Sequence, residues 1–374
     1  MKRTAFNTLW TRILIPVWLL SATISSFAAT CPDQEFTRTI NREFGTTANG
    51  MTAIYNRYGK VNIRTWGENK VKIDITILVN AADQRSADKV FDRIKVNFTH
   101  TSGYIKAETV IEEQSGWWVN DGNDFKINYE VWMPVGNQLD LKNKYGNSYI
   151  ADLNGKLMAE IKYGDLRAET IRNDADLYLG YGKAGIIQVQ NLYGQVGYGE
   201  LSVGTCNDLQ MDTKYSQIRC DRANAMRITS KYDDLVVGTV DDMRLQTKYT
   251  DVKVQQARAL FVTATYSDVR LRQAMEVVDA NLTYGNLKVE LLNKNFQSFN
   301  VVGKYTDVYL LVEPGATFRL DAEGSYTGMN YPKGVSIQHH VEDGSKRHLE
   351  GYLGSANAKG LVKVRMSYGD WLLK

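Results

Sequence analysis

A tyrosine recurs at nearly constant intervals, at Tyr145, Tyr163, Tyr181, Tyr198, Tyr215, Tyr232, Tyr249, Tyr266 and Tyr284. The steps are 17 or 18 residues, then 21 to Tyr305 and 21 again to Tyr326, with Tyr368 two further steps of 21 away. A unit this short cannot bury its own apolar face, so the period demands stacked copies. Three residues after the tyrosine stand Leu201, Ile218, Leu235, Val252 and Val269, five after stand Val203, Cys220, Val237 and Val254, and eight after stand Val189, Cys206, Ala223 and Val240. Positions four and two before it are also apolar or small, as in Leu245/Thr247 and Val262/Ala264. Spacing by two marks strands with one buried face. Between the tyrosine and the third position the parity flips, so the chain bends there, over residues suited to bends such as Tyr163-Gly164-Asp165 and Tyr249-Thr250-Asp251.

Each coil is then two short strands joined by a corner, stacked on the next at roughly 4.8 Å. The expected fold is all-β, a parallel β-solenoid of about a dozen coils of 17–21 residues. Continuing the parity of the two apolar positions before it places the tyrosine ring inward, as a packed column that includes Tyr305.

Residues 1–29 read as an export signal: Lys2, Arg3 and Arg12 are basic, Ile13 to Phe27 are largely apolar, and Ala28-Ala29 offers small residues for cleavage. Cys31 raises lipid anchoring as the alternative, disfavoured by Thr30 before it. The expected location is the periplasm or the cell surface. Removing the signal leaves 42 basic against 42 acidic residues, which excludes an electrostatic footprint for nucleic acid. No second apolar stretch is long enough to cross a bilayer. Cys206 and Cys220 fall in neighbouring coils three places out of phase; two buried thiols and a disulfide both remain open.

Residues 30–136 lack the rhythm, although Tyr58-Gly59-Lys60-Val61-Asn62-Ile63 repeats the corner pattern. Val71 to Ile77 alternates as a strand, and residues 82–95 have helical spacing with Asp83 as N-cap. This region is expected to be a β-rich cap with one short helix. Residues 137–374 form the solenoid, irregular from about 314. There Asp343-Gly344 suggests a hairpin, and the segment from Val362 to Leu373 returns to the repeat. A final apolar strand leaves an open edge, to be covered by residues 330–350 or used in self-association.

The Tyr-Gly-x-[Val/Leu/Ile] units, Trp66 ahead of an alternating strand, and Val131-Trp132-Met133-Pro134 leading into the coils resemble the bacterial putative-adhesin β-solenoid family of exported, largely uncharacterised proteins. The resemblance covers residues 45–374. It implies the solenoid fold and surface adhesion, and carries no catalytic residue.

Trp117 and Trp118, with Asp121 and Asp124 nearby in a polar segment, are the candidate contact for a protein or glycan. His339 and His348, directly opposed in a hairpin about Asp343-Gly344, are a weak metal pair. The lysines before the tyrosines and the aspartates two places after them read as mutually neutralising columns, since the Gly-Gly-x-Gly-x-Asp repeat of calcium-binding solenoids is missing. Enzyme signatures are also missing. The reading is a non-enzymatic exported adhesin or envelope scaffold that needs no cofactor. The alternatives are a carbohydrate-active enzyme on a β-helix and an assembly factor that uses an open strand edge.

Overall fold

The computed structural model describes residues 34–112 and 125–374. Its first coil is β2 (Met51–Arg57), the Tyr58 corner and β3 (Val61–Trp66), set beyond β1 (Gln34–Gly45) in sequence. The chain then leaves the stack to build the cap: β4 (Lys70–Ala81), α1 (Gln84–Arg93), β5 (Ile94–Thr101), β6 (Tyr104–Ile111) and β7 (Phe125–Pro134). β6 lies parallel on β2 and β7 parallel on β3, while β5, β4 and β1 continue outward by antiparallel pairing. The helix forms as its sequence indicates. Asp83 accepts the Ser86 N–H at 2.7 Å, and Ala87, Val90 and Phe91 are buried.

The second coil is β8 (Gln138–Lys144) and β9 (Ser148–Ile150), stacked in parallel register on β2 and β3. β10 (Leu157–Lys162) and β11 (Leu166–Gly180) follow. β12 (Lys183–Gly197), β13 (Glu200–Lys214), β14 (Gln217–Lys231), β15 (Asp234–Lys248), β16 (Asp251–Thr265) and β17 (Asp268–Leu292) then stack in register, one per coil. The apolar columns at three, five and eight residues after each tyrosine face inward, and so do the columns four and two before it. Within β13 the alternation is broken by the outward pairs Gly204–Thr205 and Asn207–Asp208 on either side of buried Cys206. A coil therefore has three inward runs, one more than the two-strand unit expected from the repeat.

The C-terminal end departs from sequence order. β18 (Ser298–Val312) stacks on β17, but β19 (Phe318–Asn330) does not stack on β18. The chain first makes a hairpin of β20 (Val335–Asp343) and β21 (Lys346–Leu353), then returns as β22 (Gly360–Leu373), which lies parallel between β18 and β19. The final strand is thus bonded on both sides. This overturns the expected open edge at Val362–Leu373, and with it self-association through that edge. Five inward residues of β22, Val362, Val364, Met366, Trp371 and Leu373, are buried, which an edge position could not have provided. β21 runs antiparallel on the far side of β19, so the hairpin covers that end of the stack.

Candidate functional site

The tyrosine column faces outward, not inward. Thirteen tyrosines, Tyr58 and the twelve others of the repeat, have φ between 50° and 62°. This left-handed backbone ends the strand alternation at the tyrosine and turns its ring to solvent. The following residue then points in, as buried Ser216, Asp233, Thr250, Ser267 and Thr306 do. Apart from half-buried Tyr58, the tyrosines are 39–63 % exposed. Extrapolating strand parity through the corner failed because one positive φ reverses it.

The rings form one continuous stack. Neighbouring centroids are 4.8–5.1 Å apart with planes 1–19° from parallel, in the order Tyr58, Tyr145 and onward to Tyr284, then Tyr305, Tyr368 and Tyr326. Phe125 closes one end, set edge-on to Tyr58 at 5.4 Å. Because each ring covers its neighbour's face, the strip presents ring edges and phenol hydroxyls to solvent.

Two charged columns flank it. The ammonium groups of Lys144, Lys214, Lys231, Lys248 and Lys304 lie 4.8–5.6 Å from the centroid of the tyrosine that follows each. On the other side, three of the carboxylates two places after the tyrosine accept backbone N–H bonds from the next coil. Asp165 takes that of Lys183 at 2.9 Å, Asp268 that of Asn286 at 3.0 Å, and Asp307 that of Asp370 at 2.8 Å. These aspartates hold the corner together. The backbone ladder continues through it, for example Tyr232 N–H to Lys248 O at 3.0 Å and Asp234 N–H to Ser216 O at 3.0 Å.

Beneath the strip runs a polar seam that the apolar template did not indicate. Buried Asp233 accepts from Thr213 Oγ1 and Ser230 Oγ, both at 2.7 Å, from Ser216 N–H at 2.6 Å and from Lys231 N–H at 3.0 Å. Earlier in the stack, Asn143 Nδ2 donates to Gly59 O and Gly146 O at 3.1 and 3.0 Å. Glycine is required at some of these corners by close approach. A Cβ on Gly146 would stand 1.8 Å from Gly59 O. At another corner of the coil, Asn224, Asn207, Asn191 and Asp174 form a hydrogen-bonded ladder at 2.8–3.0 Å. Asparagines at similar places in successive coils were the available signal.

A second cluster of charged groups sits at the C-terminal end. Arg365 of β22 binds Asp321 at 2.8 Å and Glu323 at 3.0 Å, both on β19, while His348 of β21 meets Asp321 at 3.2 Å and Glu350 at 3.4 Å. Burial alone raises the Asp321 pKa, but hydrogen bonding and charge from Arg365, with His348 assisting, outweigh it and hold the carboxyl below its ordinary range. Ligand atoms of Asp321, Glu323 and His348 lie within 4.8 Å of one another, yet the Arg365 guanidinium already pairs with both acids, so the cluster acts as an ionic clasp across three strands. The expected opposition of His339 and His348 is corrected. The hairpin turns on Gly344-Ser345, which puts His348 opposite Val341, and the two imidazoles meet diagonally at 5.7 Å.

Cys206 and Cys220 are buried free thiols with Sγ atoms 4.0 Å apart. Trp117, Trp118, Asp121 and Asp124, like the signal segment and Cys31, lie outside the described residues. Among the described residues no helix is long and apolar enough to cross a membrane.

The architecture defines a β-solenoid with an N-terminal β-rich cap. No family model and no curated protein matches the sequence. Similar solved structures include a "putative lipid binding protein" of Parabacteroides distasonis, at 11 % identity and TM-score 0.37, covering 67 % of this chain and 96 % of that one. A "putative adhesin" of the same species is 11 % identical at TM-score 0.31, covering 74 % and 97 %. A "putative cell adhesion protein" of Clostridium sporogenes is 8 % identical at TM-score 0.17, covering 91 % and 99 %. At these scores no residue role passes to this chain.

Proposed function

We propose that this chain is an exported, non-enzymatic binding scaffold whose tyrosine–lysine strip docks a linear glycan of the cell envelope or of a neighbouring surface. The observation that carries this reading is the exposed stack itself: tyrosine rings whose centroids repeat every 4.8–5.1 Å from one coil to the next. An extended polysaccharide presents hydroxyls at a comparable repeat, so successive sugars can meet successive phenols and ammonium groups. Each contact is weak, and summation along the strip provides the affinity.

The test is co-sedimentation or calorimetry of the mature chain against purified neutral, acidic and peptidoglycan-derived polysaccharides. A Tyr215→Phe/Tyr232→Phe/Tyr249→Phe variant keeps the stack and removes three hydroxyls. Binding to one glycan class, weakened at least about tenfold in the variant, is expected if each lost hydrogen bond costs about 0.5–1 kcal/mol. Binding to none, or binding indifferent to the variant, would refute the docking strip. New reducing ends in the same mixtures would instead indicate an enzyme. Protease treatment of intact cells, with lysed cells as control, separates surface from periplasm.

A further inference from the structure

The intervals from Tyr284 to Tyr305 and from Tyr305 to Tyr326 are both 21 residues, yet the first climbs one rung of the stack and the second climbs two. The difference is β22, lodged between β18 and β19. Through it the two flanking strands are in phase: Val301 faces Val364, which faces Ala322, and Asn300 faces Lys363, which faces Asp321. The slot is therefore one strand wide, with matched backbone edges and matched apolar columns on both sides. A coil of the same length closes onto its neighbour elsewhere in the stack, so nothing in the β18–β19 connection forces the slot to exist without a strand to fill it.

The occupant is β22. β22 joins β21 through residues 354–359, which are exposed except for Ala358, with Gly354 at φ +78°. Its seating is imperfect, because fully buried Trp371 has an indole N–H without a hydrogen-bond partner among the described residues. The slot is also selective. It takes a strand whose tyrosine continues the ring stack and whose next residue is glycine, since a Cβ on Gly369 would lie 2.1 Å from Thr306 O. β22 meets these requirements with Tyr368 and Gly369.

We propose that β22 exchanges between two copies of this chain, each β22 filling the β18–β19 slot of the other to give a reciprocal dimer. Every ladder bond lost in one copy is re-formed in its partner, and only the 354–359 segment changes path.

The experiment uses Asn300→Cys and Lys363→Cys, which place thiols on directly paired, partly exposed positions of β18 and β22. With both substitutions in one chain, oxidation is expected to close a 300–363 bond within the monomer. The two single variants are then mixed at high concentration, warmed below the unfolding transition and oxidised, and the bonds are mapped by mass spectrometry. Exchange predicts a covalent dimer joined at 300–363 that accumulates with time and concentration. A mixture that stays uncrosslinked while the double variant closes its internal bond would overturn the proposal, and so would a double variant that forms no such bond.

Discussion

Tyr215 and Tyr232 lie with ring centroids 4.8 Å apart and planes within 1° of parallel, and both have left-handed backbone, at φ 50° and 60°. Strain and stacking are thereby tied to the same residue. A left-handed residue with a Cβ costs about 1–2 kcal/mol, while an aromatic pair returns about 0.5–1.5 kcal/mol and each interior ring makes two such contacts. The two effects are of similar size, so the ladder compensates locally for the corner it occupies.

That balance predicts an inverted order among substitutions at Tyr249. Tyr249→Phe keeps the stack and should change unfolding free energy by less than about 0.5 kcal/mol. Tyr249→Ala keeps the strain and loses both stacking partners, and should cost about 1–3 kcal/mol. Tyr249→Gly loses the rings but relieves the strain, and should be at least as stable as the alanine variant. Urea titrations of the three variants check the order, and a glycine variant clearly weaker than alanine would contradict it.

Gly146→Ala should be far more damaging than its surface position suggests. Its Cβ would meet Gly59 O at 1.8 Å, and backbone cannot yield as a flexible side chain can. Loss of about 3 kcal/mol or more is expected, against a small effect for Gly185→Ala, where a Cβ has open space. Thermal unfolding of the pair makes the comparison.

Asp233→Asn tests the polar seam. Four donors converge on the carboxylate, and an amide would turn an N–H toward at least one of them. The expected cost is about 2–3 kcal/mol, whereas Asp234→Asn, exposed next door, should stay within about 0.5 kcal/mol. Equal effects in denaturant melts would mean that the buried acceptor is not holding the corner.

The clasp around Asp321 predicts acid sensitivity confined to one end. Its carboxyl pKa is depressed in the folded chain, so its contribution is complete above the ordinary value near 4 and is lost as pH falls through the folded one. Amides of β19 and β22 should exchange faster, relative to β13 to β16, at about pH 3 than at pH 6. Arg365→Met should remove that pH dependence. Uniform loss of protection along the stack would count against the clasp.

The repeat made the fold legible because stacking forces each inward column to be chemically similar from coil to coil. Leu201, Ile218, Leu235 and Val252 could be aligned by counting. The direction of the tyrosine could not be read this way, since a left-handed φ is permitted sparingly to any residue and only its cost is sequence-dependent. The Tyr305, Tyr368, Tyr326 order was hidden for a different reason. A detour of 42 residues happens to equal two steps of 21, so spacing alone mimics a chain that climbs in order. The clasp was invisible because Asp321, His348 and Arg365 are distant in sequence and meet only through that insertion.

The regular step of the ladder has a consequence for anything that lies along it. A linear partner matched to one rung is nearly matched to the next, so its bound state comprises many displaced poses. Twelve equivalent poses would favour binding by about 1.5 kcal/mol through multiplicity alone. The lysine column interrupts that equivalence, being Gly180 and Gly197 in two coils and Thr265 and Thr283 in two others. A polymer on this surface would diffuse along a single dimension, pausing where the ammonium groups run unbroken from Lys214 to Lys248.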